Sequence, residues 1–147
     1  GDLVTALRRW DEAAWIMGRF FQRYDLYLTP TTAMPPARIG ELTPSGPEAV
    51  LLRMVNTLRL GWLLKRTGVV DRLATESLAR TPFTQLANLC GLPAMSVPLF
   101  WTREAMPLGT QFIAPFGDEE TLFRLAGQLE VARPWFDKRP VLATLLE

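Results

Sequence analysis

The sequence predicts an α/β fold, and three observations carry the prediction. Apolar residues recur at helical spacing over residues 3–24, 83–90 and 122–129. Short apolar runs lie at 26–28, 94–97 and 108–114, each the length of a strand. Proline and glycine stand between the two kinds of segment, where a helix would have to stop.

Asp2 is placed to cap the first helix. Leu3, Leu7, Trp10, Ala14, Met17, Phe21 and Tyr24 follow spacings of four and three, a stripe on one helical face. Ile16 and Phe20 widen it, which favours a helix packed in a globular core over a coiled coil. Tyr24-Asp25 turns the chain. Leu26, Tyr27 and Leu28 then form a short strand without polar alternation, the pattern of an interior strand. Thr29-Pro30-Thr31-Thr32 follows at its C-terminal end, where open α/β sheets gather ligands. The plainer reading is that these hydroxyls serve only the loop backbone.

Residues 30–47 hold five prolines and two glycines, an irregular segment that could cover a pocket. Ser45-Gly46-Pro47-Glu48 has the form of a capping box and opens a helix expected over 47–65. Leu51, Met54, Val55, Leu58 and Trp62 mark one face of it, and Val50, Leu52, Leu60, Leu63 and Leu64 make the other side apolar too. A helix apolar all round is buried on more than one side. Gly61 costs it about 1 kcal/mol relative to alanine, a cost that close packing would justify. A weaker helix is expected over 69–79.

Thr81 is placed as an N-cap with Pro82 at the first helical position. Phe83, Leu86, Ala87 and Cys90 carry the helical spacing, Gly91 ends the helix, and Pro93 prevents its return. Ala94–Val97 reads as a strand bounded by Pro98, and 108–114 as a second strand. Gly109 marks a bulge or a close backbone approach in the latter. WTREAMP between them has the charges of a surface turn. Asp118, Glu119 and Glu120 suit the positive end of a last helix, with Leu122, Leu125, Ala126 and Leu129 inward and Arg133-Pro134 at its end. Trp135, Phe136 and the leucines after them form an apolar tail that docks.

Composition narrows the function. The 147 residues suit one domain, and 48% hydrophobic content is enough for a core. Sixteen basic and fifteen acidic side chains leave a net charge of +1, which gives no preference for nucleic acid or an anionic membrane. The absence of histidine removes Ser-His-Asp and Cys-His catalysis from this chain and leaves little for zinc, so neither a metal nor a cofactor is expected. A single cysteine cannot form an internal disulfide and suits a reducing, cytoplasmic setting. No apolar run approaches the roughly 20 residues of a membrane span. The opening GDLVTALRRW lacks both an initiator methionine and the shape of a signal peptide, and reads as the start of an excised or processed fragment.

The runs NLCGLPAMSVP, MPLGTQFIA and DEETLFRLAGQLE, preceded by YDLYLTPTT, resemble in order the C-terminal part of the amidase signature family. The resemblance is greatest to bacterial amidases of the 6-aminohexanoate-cyclic-dimer hydrolase type, and it covers nearly the whole chain. It implies a mixed β-sheet flanked by helices, a C-terminal slice of the amidase signature fold over 1–147. It also implies hydrolysis of carboxamide C–N bonds, on linear or cyclic amides, through a serine acyl-enzyme. The family's two serines and lysine precede the matched region. Ser45, Ser77, Ser96, Lys65 and Lys138 lie outside the family's contexts, so no catalytic residue is expected here and the chain alone should be inactive.

The resemblance makes Thr29, Thr31, Thr32 and Thr81 candidates for the substrate-pocket wall. In glutamine-using relatives a carboxylate at the position of Thr81 could recognise the substrate's amino group. Threonine cannot supply that charge, which points to a neutral amide. Asn88, Gly91 and Gln111 are structural candidates: Asn88 as a buried tie for a turn, Gln111 as a hydrogen-bonding residue inside the sheet. Cys90 has no histidine near it and reads as an inert core thiol. Ser96 sits in a strand with no base beside it. The partners expected are the upstream amidase segment of the same protein, a small amide substrate, and a second copy if the chain dimerises. The competing reading is a non-catalytic assembly or dimerisation module acting through helix 47–65, and a third is a binding domain without turnover.

Overall fold

The computed structural model describes residues 1–41, 46, 50, 53–55, 57, 75 and 78–138. The expected helices over 47–65 and 69–79 lie outside the described residues, save for helical positions such as Val50, Arg53, Met54 and Val55. The chain divides into two compact units. One joins Gly1–Pro35 to the described residues from Thr81 onward; the other is Pro36–Arg80.

The first unit opens with α1 (Asp2–Phe20). Gly1 rather than Asp2 is the N-cap, and Asp2 lies inside the first turn, where its charge still favours the helix dipole. The apolar stripe is only partly covered. Met17 is buried, and Phe20 stacks on Tyr24 at 4.7 Å and meets Tyr27 edge-on at 5.4 Å. Such ring pairs contribute about 0.5–1.5 kcal/mol each beyond area burial. They fasten the end of α1 to the strand that follows. Leu3, Val4, Leu7, Trp10 and Ile16 stay exposed, Leu3 at 73%. A helix packed along its whole stripe was expected. Here only its C-terminal third is covered, and α1 packs against α2 (Thr84–Cys90).

Strands β1 (Tyr27–Pro30), β2 (Ala94–Trp101) and β3 (Pro107–Ile113) form one sheet in the order β1-β3-β2. Both pairings are antiparallel. The α/β class holds, with β3 at the centre and its Ile113 completely buried. Strand β1 is an edge among the described strands, not the interior strand its composition implied, and Leu28 is 60% exposed. The prolines correct a second expectation. Pro98 does not end β2; the strand runs on to Trp101 through a register shift between Val97 and Phe100. A proline without an N–H is tolerated where an edge strand bulges.

Side chains from β2, from the central strand β3 and from the last helix, α3 (Glu119–Ala132), close the core over one sheet face. Val97, Phe112, Ala114 and Leu122 are buried together, with Leu26, Met95, Leu99, Leu125, Leu129 and Trp135 packed against them. Of the tail residues described, Trp135 is docked and Phe136 is exposed; the leucines expected to dock after them lie outside the described residues. Asp118 starts α3 by accepting the Thr121 N–H at 3.3 Å, and Glu120 pairs with Arg124 one turn on.

Gly91 closes α2 in the left-handed region, φ 65° and ψ 30°. Its N–H and that of Leu92 both reach the Ala87 carbonyl, so the 5→1 bond of a left-handed cap is joined by a 6→1 bond to the same oxygen. The start of α2 differs from expectation. Phe83 holds the N-cap position with no side-chain cap, and the Thr81 carbonyl accepts the Thr84 hydroxyl at 3.1 Å. Pro82 keeps Thr81 from helical geometry, so the helix begins later than its sequence signature.

In the second unit, Glu41 accepts the Arg38 N–H at 2.8 Å and pairs with Arg80 at 2.6 Å. The Arg38 N–H first, and the Arg80 guanidinium second, hold its carboxyl below the ordinary carboxylate range.

Candidate functional site

The sheet register sorts the candidate residues onto two faces. Thr29, Gln111 and Ser96 stand side by side across β1, β3 and β2, because Gln111 is the register partner of both Thr29 and Ser96. Side chains alternate across a strand, so this polar row lies opposite the face that α3 covers through Val97 and Phe112.

Gln111 is 4% exposed and Thr29 is buried beside it. The Gln111 amide Nε2 donates to Thr29 Oγ1 at 3.3 Å and to the Phe83 carbonyl at 3.2 Å. Gln111 therefore bonds inside the sheet and also outside it, tying the central strand to the segment two residues beyond Thr81. Both N–H donors of the amide are thereby committed to groups that would otherwise be stranded away from water.

Thr31 lies one step past the end of β1. Its N–H donates to the Gly109 carbonyl at 2.9 Å, and its hydroxyl shares a 2.6 Å hydrogen bond with Ser96 Oγ. Gly109 sits beneath that pair. A Cβ there would stand 2.5 Å from both hydroxyl oxygens and 2.9 Å from Thr31 Cβ. This is the close approach that a glycine in an apolar strand signals. The sequence does not show which residues make it, because Thr31 and Ser96 lie in separate segments of the chain.

Thr32 goes elsewhere. With Ala33, Met34 and Pro35 it forms one wall of a cavity of about 320 Å³, whose other walls are Leu28, Pro30, Phe100, Leu108, Gly109 and Thr110. No charged side chain lines it among the described residues. The structure thus brings Thr29 and Thr31 to the polar face, puts Thr32 in the apolar cavity, and leaves Thr81 at the turn before α2. Met34, Phe100 and Leu108 were not anticipated as lining residues; their only signal was bulk near proline and glycine. A larger hollow along α1, lined by Arg8, Asp11, Trp15 and Arg19, is walled by that one helix among the described residues and is a surface groove.

The remaining candidates are scaffold by position. Asn88 is exposed on α2 and not the buried tie the sequence implied. Gly91 makes the turn described above. Cys90 is half-buried, and burial pushes its thiol up from the ordinary value, away from the reactive thiolate. Among the described residues no three His, Cys, Asp or Glu side chains converge on a point where a metal could sit. No described helix is long and apolar enough to cross a membrane.

Comparison with known proteins places this geometry. A family model described as amidase matches residues 5–123. The chain is 40% identical over 116 residues to a Mycobacterium leprae protein provisionally named amidase AmiC, covering 79% of this chain and 20% of that one. It is 33% identical over 139 residues to the 6-aminohexanoate-cyclic-dimer hydrolase of Pseudomonas sp. strain NK87, covering 92% of this chain and 22% of the relative. A solved structure of a 6-aminohexanoate cyclic dimer hydrolase superposes with a TM-score of 0.64 at 29% identity, over 90% of this chain and 25% of the other. The chain spans about a fifth of the length of the curated relatives it matches, and the similarity is to a C-terminal portion.

Proposed function

The chain belongs to the amidase family, and on that premise we propose that it works as the C-terminal part of a larger amidase, cleaving the C–N bond of a neutral carboxamide. In this reading a serine outside the chain attacks the amide carbonyl. The amine leaves with a proton, and water then releases the acid from the acyl-enzyme. Such a route divides one hard displacement into two easier ones. The residues described here supply scaffold and part of the substrate pocket, and the protein is cytoplasmic.

The observation that carries the reading is the cavity at the end of β1. Its described lining is hydrocarbon from Leu28, Pro30, Met34, Phe100 and Leu108, with the hydroxyls of Thr32 and Thr110 as polar points. A charged substrate group buried there would go unpaired, at a cost of several kcal/mol. A neutral amide would not meet that cost. The uncovered stripe of α1 supports the scaffold role: Leu3, Leu7, Trp10 and Ile16 have the character of residues packed against further protein.

The test is the full-length protein assayed for ammonia or amine release from hexanamide and from glutamine. Hexanamide should be preferred by more than about tenfold in kcat/KM, a difference of roughly 1.4 kcal/mol. Preference for glutamine, or no turnover of any amide in a broad panel, overturns the reading.

A further inference from the structure

We propose that Thr31, Ser96 and Gly109 act as one positioning device, which fixes the loop 32–35 against the sheet and so sets the width of the cavity at the end of β1. The link from cavity to substrate rests on the function proposed above; the device itself rests on geometry alone.

Three features support it. First, the loop leaves β1 immediately after Thr31, so whatever holds Thr31 determines where Thr32, Ala33 and Met34 begin. Second, Thr31 is held from two directions. Its backbone N–H bonds to the Gly109 carbonyl of the central strand, and its hydroxyl bonds to Ser96 of the far strand. The hydroxyl pair therefore spans the whole width of the sheet above β3. Third, that span exists only because position 109 has no side chain. The two oxygens occupy the space a Cβ would fill, at 2.5 Å from its ideal position. A methyl group at 109 cannot coexist with the pair as placed.

The consequence is a coupling between faces. Thr31 and Ser96 lie on the polar side, while the loop they anchor closes the apolar cavity whose other wall is Leu28, Phe100 and Leu108. Loss of the pair frees the loop without removing any side chain that lines the cavity. Thr31 and Ser96 are not among the residues that line the cavity, and Gly109 adds only backbone to it, so the three are positioning residues.

The experiment compares full-length wild type with Ser96→Ala, Thr31→Val, Thr31→Ser and Gly109→Ala. Hydrogen exchange is read on the peptide covering 31–35 and, as an internal control, on α3. Ser96→Ala and Gly109→Ala should each speed exchange at 31–35 by about fivefold or more and leave α3 unchanged. Unchanged exchange at 31–35 overturns the device, and acceleration spread equally over α3 reduces it to general destabilisation and overturns it too.

The second readout is the kcat/KM ratio of hexanamide to acetamide. Thr31→Val should lower that ratio through KM for hexanamide, with kcat held within about twofold, and Thr31→Ser should restore it. Faster exchange with an unchanged ratio overturns the link to substrate. If wild type hydrolyses neither amide, the proposed function falls, while the exchange data still decide the device.

Discussion

Replacing Gln111 by methionine tests how much of this fold depends on one buried amide. Methionine keeps the length and bulk of the side chain and removes both hydrogen bonds from Nε2, to Thr29 Oγ1 and to the Phe83 carbonyl. A typical internal hydrogen bond contributes about 0.5–1.5 kcal/mol net, and a buried group left without its partner costs about 1–3 kcal/mol. The bond to Thr29 is buried and that to the Phe83 carbonyl is part-buried, so water replaces neither partner fully. The expected loss for Gln111→Met is therefore about 2–3 kcal/mol. A double-mutant cycle with Thr29→Val isolates the pair across β1 and β3. Urea denaturation followed by circular dichroism and tryptophan fluorescence should give coincident transitions for wild type and all three variants. The cycle should return a coupling of about 0.5–1.5 kcal/mol. Additive losses, with a coupling below about 0.3 kcal/mol, would show that Gln111 and Thr29 do not interact, and the polar row would lose its centre.

Two other outcomes are expected. Ala105 takes φ 58° in the β2–β3 turn, a region costing a residue with a Cβ roughly 1–2 kcal/mol. Ala105→Gly should raise stability by about 0.5–1 kcal/mol after the entropy cost of glycine, read as a higher urea midpoint at unchanged slope. For Glu41, the folded carboxyl titrates below its unfolded value. Its contribution to folding is therefore present above the unfolded pKa and disappears as pH falls through the lower folded one. NMR titration should place the Glu41 midpoint below that of an unfolded peptide. Arg80→Gln should raise it only partway, because the Arg38 N–H, the larger cause, remains.

The elements that read correctly from the sequence are those settled by neighbours a few residues apart. Asp118 with the acidic turn after it, Gly91 with its left-handed stop, and the charged WTREAMP turn are local arrangements of backbone donors, acceptors and charge. Gly109 was legible as a close approach for the same reason, since a missing Cβ in an apolar run has few other uses. The family itself was legible too, because four ordered motifs lie along the chain.

Tertiary structure decided what covers each face and what lies across it. Periodicity puts Leu3, Leu7 and Trp10 on one side of α1, yet says nothing of what covers them; no described residue of this chain does so fully. An apolar run made Leu26–Leu28 resemble an interior strand, and pairing made it an edge. Pro98 reads as a strand end, yet the register shift between the Val97–Thr110 and Phe100–Leu108 pairs gives it a place within the strand. Thr31 meets Ser96 across 65 residues, and Gln111 meets Thr29 across 82. A pattern in one segment fixes which of its own side chains point the same way. Which distant hydroxyl or amide waits there depends on strand order and register, and those follow from how the whole set of apolar faces is buried together.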